Sequence, residues 1–380
     1  MEFPVLELEG SPYERGYEHG SKYKKLINDT IYLHFKLIDR YEEHPERKED
    51  KEWLTERMIR INNRNLPYAK EYAPDLVEEL RGIADGAGLS FEEIFCYDSA
   101  MTITDTIYPT LKHCFDCTTF ALSPRVTANG EVFVAQTFDY RADLLDRMII
   151  LKIKLKSGLK ILVWGTVGTL GYIGMNSEGI SLVINNLRQS DVRAGVPMSF
   201  IIRKALEQKD IGMALEAIVN ARRAKGFNYV VGDKNGEIFN VETTATDYEI
   251  TSGARDGYVA HTNHYVSERL RPYERMFTVN SLVRLSRINN LIRSKLCKIT
   301  FDDVKEFLRD HAISYNPISV SRELSRKIFE EFPERIPETM GRRSMPLNQT
   351  LTGVIFRPMI PSAWFTYGAP HESDFIEYRL

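Results

Sequence analysis

The pattern of apolar and polar positions changes near residue 116, and the two sides of that boundary predict different structures. Over residues 14–42, apolar and aromatic side chains recur at spacings of three and four with charges between them, which is typical of amphipathic helices. A further helix is predicted over Asp75–Ala84, because Gly88 follows it where glycine suits a helix end. Ser90 and Glu93 form a capping-box pattern, which predicts another helix start. The first hundred residues are therefore expected to be mostly helical.

Beyond residue 116 the sequence favours β-strands. The apolar runs are rich in β-branched and aromatic residues, and pairs of turn-forming residues separate them. These pairs are Asn129-Gly130, Ser157-Gly158 and Asn235-Gly236. An Asn-Gly pair between apolar runs is a strong hairpin signal. Helical stretches interrupt the strands at roughly 198–222, 274–294, 301–311 and 319–331, and three strand-like runs close the chain.

The order of the predicted elements indicates the fold class. Many antiparallel hairpins, with helices in separate blocks, favour an α+β protein over repeated strand–helix–strand units. The mixed texture of the long strands suggests sheets that are covered on both faces. The segment Gly165-Thr166-Val167-Gly168 lacks the Lys-Ser/Thr ending of a phosphate-binding loop.

Composition narrows the classes of function. With 380 residues, 43% of them hydrophobic, the chain can bury a large core. Its net charge of −3 and isoelectric point of about 6.3 argue against a nucleic-acid or membrane-surface binder, which would normally be basic. The first ten residues lack the features of a secretory signal, and no apolar run approaches the ~18 residues of a membrane span. We therefore expect a cytoplasmic protein without nucleic-acid or membrane partners.

Cys117 stands at the boundary between the helical and the strand-rich regions, at the start of the first strongly predicted strand. A lone cysteine is most often a small buried hydrophobe. A position at the head of a strand also suits a nucleophile. Cys114 lies three residues earlier, and this C-x-x-C spacing allows a thiol–disulfide site. The strand-to-helix context of a thioredoxin-like unit is missing, so we consider the redox alternative weaker.

Seven sequence blocks in the same order resemble one known family. The blocks include CTTFA at 117–121 and QTFDY at 136–140. The others are GSPYERGYEHGSKYK (10–24), EELRGIADGAGLSFEEI (78–94), IGMNSEGISLVINNL (173–187), GVPMSFIIRKALE (195–207) and HTNHY (261–265). Together they resemble the acyl-coenzyme A:6-aminopenicillanic acid acyltransferase family of the N-terminal-nucleophile hydrolase superfamily.

The resemblance implies a fold and a maturation step. The fold is a four-layer αββα sandwich, with two stacked, mostly antiparallel sheets flanked by helices. The chain would cut itself between Asp116 and Cys117. Residues 1–116 would become a mostly helical α chain, and residues 117–380 a β chain that carries both sheets. The two chains would remain together as one globular unit, because they share a core.

The same resemblance implies a thiol chemistry. A free thiol has a pKa of about 8.5, and an α-amine has a pKa of about 7.7–8. After cleavage, the new amine of Cys117 can take the proton from the thiol of the same residue. The thiol can then form a thioester with an acyl group, which water or an acceptor amine releases. The substrate would be a small-molecule amide or thioester. No cofactor or metal is implied, although a coenzyme A thioester could serve as acyl donor.

Three further residues match family site positions. Asp139 would orient and tune the new amine, although a strand-end aspartate can also cap a turn. Asn263 would donate a hydrogen bond to the developing oxyanion, although it could also stabilise its loop. Thr244 matches a family serine whose hydroxyl reaches the amine or the substrate. Thr243 is the alternative if the register slips, and a structural threonine is an equal alternative.

The sequence departs from the family pattern in two places. Asp116 stands where the family usually has glycine, and its side chain changes the space in the tight turn that self-cleavage needs. Near residues 345–350 the sequence is MPLNQT, whereas the family has a Ser-Arg pair. Arg342 and Arg343 are the nearest candidates to replace that arginine. Because the arginine would contact substrate or acceptor, we do not expect penicillin chemistry.

Several other residues have ordinary structural interpretations. His261 and His264 form a pair that invites zinc, but no third ligand cluster stands near them. Asn176 and Asn185 fall in matched blocks, and both are interpreted as turn or strand-end residues. Gly16 and Gly20 are predicted to allow close packing.

Two alternatives to an acyltransferase remain open at this point. A linear-amide hydrolase acting on acylated amino acids or peptides would share the mechanism and differ in its pocket. An unprocessed, non-catalytic relative could keep the fold as a small-molecule binding module. Asp116 and the missing arginine support the second alternative.

Overall fold

Two β-sheets stack face to face in the computed structural model, which describes residues 1–41, 51–102, 117–313, 316–331 and 348–380. The larger sheet contains, in spatial order, β1 (Val5–Leu8), β4 (Met148–Lys154), β5 (Lys160–Thr166), β6 (Ile173–Asn176), β7 (Ser181–Asn186), β8 (Phe227–Gly232), β9 (Ile238–Thr243) and β10 (Tyr248–Ser252). The smaller sheet contains β11 (Tyr258–His261), β2 (Thr118–Leu122), β3 (Phe133–Arg141), β12 (Asn348–Arg357), β13 (Ser362–Thr366) and β14 (Phe375–Arg379). Apart from β1 with β4, the paired strands are antiparallel.

Helices cover the outer faces of both sheets. The described helices are α1 (Pro12–Lys22), α2 (Lys24–Tyr41), α3 (Lys51–Asn63), α4 (Leu66–Tyr72), α5 (Pro74–Ala87), α6 (Phe91–Asp98), α7 (Met198–Leu206), α8 (Ile211–Val219), α9 (Val279–Ser294), α10 (Phe301–Arg309) and α11 (Arg322–Glu331). Helices α1–α8 pack on the side of the larger sheet, and α9–α11 pack on the smaller one. The four-layer αββα arrangement predicted from the sequence is therefore confirmed.

The local signals in the sequence match the observed elements closely. Helix α5 ends at Gly88, whose φ of +70° is the left-handed conformation that glycine adopts readily. Ser90 and Glu93 form the predicted capping box of α6. The predicted helix at 198–222 is two helices, because Asp210 caps the second with its side chain. The three predicted turn pairs connect strands that pair antiparallel.

Helices α1 and α5 touch backbone to backbone through glycines. A Cβ atom added to Gly16 would lie 1.9 Å from the carbonyl oxygen of Glu79, and one added to Gly20 would lie 2.3 Å from that of Ile83. Gly82 and Gly86 face α1 in the same way, at 2.1 and 2.4 Å from its backbone oxygens. The prediction that Gly16 and Gly20 allow close packing is confirmed.

The helical N-terminal part contributes more to the sheets than the sequence indicated. Strand β1 was not predicted, and it pairs in parallel with β4 at one end of the larger sheet. The segment 117–380 therefore does not carry both sheets alone. A strand of four residues gives too short an alternation to be recognised from sequence.

Buried charges tie this helical part to the rest of the chain. Glu79 on α5 accepts hydrogen bonds from Arg15 on α1 and from Arg203 on α7, each at 2.8 Å. All three residues are at most 3% exposed. Asp98 at the end of α6 accepts from the Ser199 hydroxyl at 2.6 Å and from the Leu170 N–H at 2.8 Å. A buried ion pair is costly to break, so these contacts resist separation of the two segments.

Gln136 on β3 links the two sheets directly. Its side-chain oxygen accepts from the Ile184 N–H at 3.0 Å, and its Nε2 donates to the Ile184 carbonyl at 2.8 Å. Strand β6 pairs with β7 only as far as Leu182, so Ile184 has backbone groups with no strand partner on that side. Buried backbone groups need hydrogen-bond partners. The side chain of Gln136 is the partner of both backbone groups of Ile184.

We predict that Gly16→Ala destabilises the protein by about 3 kcal/mol, because the new Cβ forces α1 away from α5. Urea unfolding followed by circular dichroism measures the change. Gly212→Ala is the matched control, since Gly212 lies in an exposed helical turn where only the Asp210 side chain is near. Its effect should stay below about 1 kcal/mol. Equal effects of the two substitutions would contradict the close-packing role.

Candidate active site

Cys117 lies directly before β2, where the strand ladder does not use its backbone groups. Its carbonyl oxygen accepts from Arg284 Nη1 at 2.6 Å and from Asn185 Nδ2 at 3.0 Å. Its backbone nitrogen donates to Asn263 Oδ1 at 2.7 Å. The residue is 3% exposed. Three side chains from three separate elements therefore hold Cys117 in place.

Burial raises the pKa of the Cys117 thiol to about 12, and the negative charge of Asp139 adds to this effect. The backbone of Asp139, the charge of Arg284 and the side chain of Gln136 act in the opposite direction. The thiol is consequently protonated at neutral pH, and a nearby base must take its proton before it can act as a nucleophile.

Asn263 follows β11 and has a fixed amide orientation. Its Oδ1 faces two donors, the backbone N–H of Cys117 and Arg284 Nη2 at 3.0 Å. Its Nδ2 faces an acceptor, the carbonyl of Asn186 at 3.1 Å. Because oxygen meets donors and nitrogen meets an acceptor, the amide cannot be turned over without losing all three bonds. Nδ2 carries a second N–H, for which the described residues provide no acceptor.

The loop that carries Asn263 is anchored from behind. The Asn263 N–H donates to Ser281 Oγ at 2.8 Å, near the start of α9. His261 Nε2 lies 2.8 Å from Glu242 Oε1, and Glu242 also accepts from two backbone N–H groups of the same loop. Although burial opposes ionisation, His261 and these N–H groups hold the pKa of Glu242 below its usual value. A charged carboxylate thus fixes the loop.

Asp139 lies on β3 within electrostatic reach of the Cys117 thiol. Its Oδ1 accepts from the Thr350 hydroxyl at 2.6 Å. Thr350 belongs to β12, within the stretch where the family has its Ser-Arg pair. Asp139 is 3% exposed, so its charge acts with little screening by water. The structure therefore brings Cys117, Asp139 and Asn263 together.

Thr244 has a different place. Its hydroxyl accepts from the backbone N–H groups of Thr246 at 3.2 Å and Asp247 at 2.9 Å, which closes the turn after β9. Thr243, the alternative, exchanges hydrogen bonds with the backbone of Phe227. In the described part of the chain, neither hydroxyl has a contact with Cys117. The geometry supports the structural alternative for both threonines.

Two residues beside Cys117 were not predicted as site residues. Asn185 was interpreted as a strand-end residue, yet it donates to the Cys117 carbonyl and accepts from Thr119 Oγ1 at 2.6 Å and Asn228 Nδ2 at 3.0 Å. Arg284 was not singled out. Both carry a signal in the sequence, because Asn185 stands in an apolar strand and Arg284 shares the buried stripe of α9 with Ile288. Asn176, in contrast, closes a turn as predicted.

The remaining predicted positions lie elsewhere or outside the described residues. Asp116, the predicted cleavage partner, lies outside them, as do Cys114, Arg342 and Arg343. His264 Nδ1 lies 2.8 Å from Ser281 Oγ. Burial lowers the pKa of His264 to about 4, and the neighbouring His261 and Arg284 contribute. Within the described ranges, no cluster of His, Cys, Asp and Glu is arranged to hold a metal ion.

Comparison with known proteins assigns the chain to a family. The sequence profile of the family "Acyl-coenzyme A:6-aminopenicillanic acid acyl-transferase" matches residues 126–327, which is more than half of the chain. The two stacked, mostly antiparallel sheets with helices on both outer faces define the fold class of the N-terminal-nucleophile hydrolases. The chain belongs to the acyl-coenzyme A:6-aminopenicillanic acid acyl-transferase family.

Two relatives are distant in sequence. An uncharacterized protein of Archaeoglobus fulgidus is 21% identical over 348 residues, which covers 80% of this chain and 57% of that protein. The β-alanyl-dopamine/carcinine hydrolase of Drosophila melanogaster is 24% identical over 261 residues, which covers 63% of this chain and 64% of that enzyme. The matches therefore span less than two thirds of either relative.

Solved structures with a similar chain course were also found. A mutant of the conjugated bile acid hydrolase from Clostridium perfringens has a TM-score of 0.44 and 12% identity, covering 70% of this chain and 97% of that one. Penicillin V acylase from Agrobacterium tumefaciens has a TM-score of 0.36 and 12% identity, covering 66% and 83%. Separately, none of the described helices combines the length and apolar character needed to cross a membrane.

We predict that iodoacetamide does not alkylate Cys117 near pH 8 in the uncleaved chain, because burial keeps the thiol protonated. The alkylation rate should rise about tenfold for each pH unit up to pH ~11. Peptide mass spectrometry measures this rate. Cys297 is exposed and serves as the internal control. Rapid alkylation of Cys117 at pH 8 in the uncleaved chain would show that the thiol is already ionised.

Proposed function

We propose that the chain cleaves itself between Asp116 and Cys117 and then uses Cys117 to hydrolyse or transfer acyl groups held in amides. The observation that carries this proposal is the contact between the Cys117 nitrogen and Asn263 Oδ1. The side-chain amide of Asn263 accepts a hydrogen bond from the nitrogen that would become the base. The Nδ2 of the same amide points its N–H groups away from that nitrogen. Base and oxyanion donor would thus be positioned by the same side chain.

Self-cleavage would begin with the thiol of Cys117. The sulfur attacks the carbonyl carbon of Asp116, the peptide C–N bond breaks, and the nitrogen of Cys117 takes a proton to become an amine. The resulting thioester is hydrolysed by water, which leaves a carboxylate on Asp116 and restores the thiol. The bonds to the Cys117 carbonyl support this step, because they hold the residue still while its nitrogen becomes the leaving group.

Catalysis by the cleaved chain would use the new α-amine as its base. The amine takes the thiol proton, and the sulfur attacks the carbonyl carbon of the substrate amide. The oxyanion that forms accepts a hydrogen bond from Asn263 Nδ2. The leaving amine takes the proton, and a thioester to Cys117 remains. Water, deprotonated by the α-amine, then releases the acid, whereas an acceptor amine would give transfer.

The partner of the β chain would be the α chain of the same precursor. Contacts across the boundary between residues 116 and 117 support lasting association. The Glu79–Arg203 ion pair, the Asp98 hydrogen bonds and the β1–β4 ladder all cross it. None of these contacts depends on the peptide bond before Cys117.

The substrate class follows from the chemistry and from one relative. The Drosophila relative is named as a hydrolase of β-alanyl-dopamine and carcinine. We therefore propose small amides, with β-alanyl amides among the first to screen. Thioesters, including coenzyme A thioesters as acyl donors, are the second group. The proposal needs no resident cofactor.

We predict that purified protein yields two fragments, the larger beginning Cys-Thr-Thr-Phe, whereas Cys117→Ala stays a single 43.8 kDa chain. Cys117→Ser should be cleaved more slowly, because its hydroxyl is a weaker nucleophile. Intact mass under denaturing conditions and N-terminal sequencing distinguish these results. Cys297→Ala, at an exposed position, is the matched control and should be cleaved like the wild type.

Two outcomes would count against this mechanism. Fully cleaved Cys117→Ala protein would mean that another group cuts the chain. A wild-type protein that remains uncleaved would favour the alternative, a binding module that keeps the fold without catalysis. Two departures from the family pattern favour this alternative, Asp116 and the missing arginine near residues 345–350.

We predict that Asn263→Ala lowers the turnover of cleaved protein about 100-fold or more, because the oxyanion loses its side-chain donor. Thr244→Ala is the control. It removes two hydrogen bonds of a turn, so it should reduce stability and leave turnover per cleaved molecule unchanged. Turnover is measured with an amide that the wild type hydrolyses, and the cleaved fraction by gel electrophoresis. Full activity of Asn263→Ala, or a large loss in Thr244→Ala, would reverse the two assignments.

A further inference from the structure

A buried arginine that no sequence motif indicated lies at the centre of the candidate site. Arg284 on α9 is 0% exposed. It shares a helix face with Ser281, Ile288 and Ile292, which are also buried. Burying a guanidinium is costly unless hydrogen bonds replace its water. Its burial among core residues is therefore expected to depend on specific hydrogen bonds.

The contacts of Arg284 converge on the nucleophile. Nη1 donates to the Cys117 carbonyl at 2.6 Å and to Thr118 Oγ1 at 2.9 Å. Nε donates to Asn280 Oδ1 at 2.7 Å on the same helix, which fixes the plane of the guanidinium. A planar fork of donors holds its acceptors more rigidly than the single ammonium of lysine can. Arg284 thus determines where the backbone of Cys117 lies.

Arg284 also determines how Asn263 points. Its Nη2 donates to Asn263 Oδ1 at 3.0 Å, beside the N–H of Cys117, which donates to the same oxygen. Two donors on the amide oxygen leave only the Nδ2 side free to face a substrate. A positive donor on the oxygen also polarises the amide and makes its N–H groups better donors.

The charge of Arg284 lies close to the nitrogen of Cys117, because both groups donate to Asn263 Oδ1. Both groups bind one oxygen atom, so they lie within a few ångström of each other. Asp139 on β3 faces the same residue with the opposite charge. His264 and the Glu242–His261 pair lie behind Asn263, and Lys225 reaches Asn186 at 2.6 Å. Among these groups, Arg284 has direct hydrogen bonds to both Cys117 and Asn263.

We propose that Arg284 is a positioning residue that fixes Cys117 and Asn263 for reaction, and that its charge favours the uncharged α-amine and the thiolate of Cys117. This inference rests on the proposed function, because it concerns the cleaved chain. A neighbouring positive charge disfavours a second one, so the amine gives up its proton more easily. The same charge stabilises the thiolate, so both effects act in one direction.

The test uses full-length protein that is cut in place. Residues 113–116 are replaced by Ile-Glu-Gly-Arg, so that factor Xa leaves Cys117 as the new N-terminus without self-cleavage. Arg284→Met and Arg284→Gln remove the charge, and Arg284→Lys keeps the charge without the fork. Arg287→Lys is the matched control, since Arg287 lies on the same helix and pairs with Asp310 at 2.6 Å. Urea unfolding confirms that each protein is folded.

The first readout is the alkylation rate of Cys117 by iodoacetamide as a function of pH, which needs no substrate. We expect the midpoint to move up by about one pH unit in Arg284→Met and Arg284→Gln, because the charge that favours the thiolate is gone. It should stay in place in Arg284→Lys and Arg287→Lys. A merely structural role would lower the folded fraction in all Arg284 variants without moving the midpoint.

The second readout is turnover of β-alanine p-nitroanilide, or of the acyl p-nitroanilide that the cut wild type hydrolyses best. We expect kcat to fall about 100-fold in the neutral variants and about tenfold in Arg284→Lys, with smaller changes in KM. Folded neutral variants with unmoved midpoints would overturn the charge role. Full turnover in Arg284→Lys would overturn the positioning role.

The two readouts separate this inference from the proposed function. If the cut wild type hydrolyses no amide or thioester, the proposed function fails, and the alkylation midpoints still decide whether the Arg284 charge acts on Cys117. If the wild type is active and the midpoints do not move, the proposed function stands and the inference on the charge fails.

Discussion

The backbone of Cys117 is satisfied by side chains rather than by a strand partner, and the candidate site depends on this constraint. Asn263 accepts from its nitrogen, and Arg284 and Asn185 donate to its carbonyl. A peptide group in a ladder could not change its bonding without disturbing the sheet. In the proposed self-cleavage, these side chains would hold Cys117 in place while its nitrogen changes from amide to amine.

The surroundings of Cys117 are costly to build, because they bury charged and polar groups away from water. Arg284, Asp139, Asn185 and Glu242 are each at most 3% exposed. Each is compensated by specific hydrogen bonds, and removing any one partner leaves others unsatisfied. The result is a buried polar cluster whose members are held by hydrogen bonds. The proposed mechanism needs such fixed groups, because in it one amide would serve both a base and an oxyanion.

The helical N-terminal part supports the site from the far side of the larger sheet. Glycine contacts between α1 and α5 bring their backbones together, and Glu79 joins both helices to Arg203. Asp98 reaches the Leu170 backbone and Ser199, and burial raises the pKa of this carboxyl to about 6. These contacts anchor the N-terminal helices to α7 and to the segment between β5 and β6. Gln136 then couples the larger sheet to the smaller one.

Local patterns in the sequence determined much of the fold, because they express interactions between near neighbours. The Ser90–Glu93 capping box, the Gly88 helix end and the turn pairs all follow from residues within a few positions of one another. The ordered family blocks indicated the sandwich and brought Cys117, Asp139 and Asn263 forward as a set. Strand β1 was beyond such reasoning, since its partner lies some 145 residues away, from Val5 to Ile150.

Only the tertiary structure decided which polar side chains meet. Thr243 and Thr244 differ by one position, and neither reaches Cys117, because their hydroxyls bond to nearby backbone. Asn185 and Arg284 come from a strand and a helix that the sequence separates by about one hundred residues, yet both bond to one carbonyl oxygen. The sequence by itself predicted most of the elements and indicated Cys117 as the candidate nucleophile. The neighbours of Cys117 were determined by the way β7, the loop after β11 and α9 come together in the fold. A hydrogen bond depends on distances that sequence spacing does not specify.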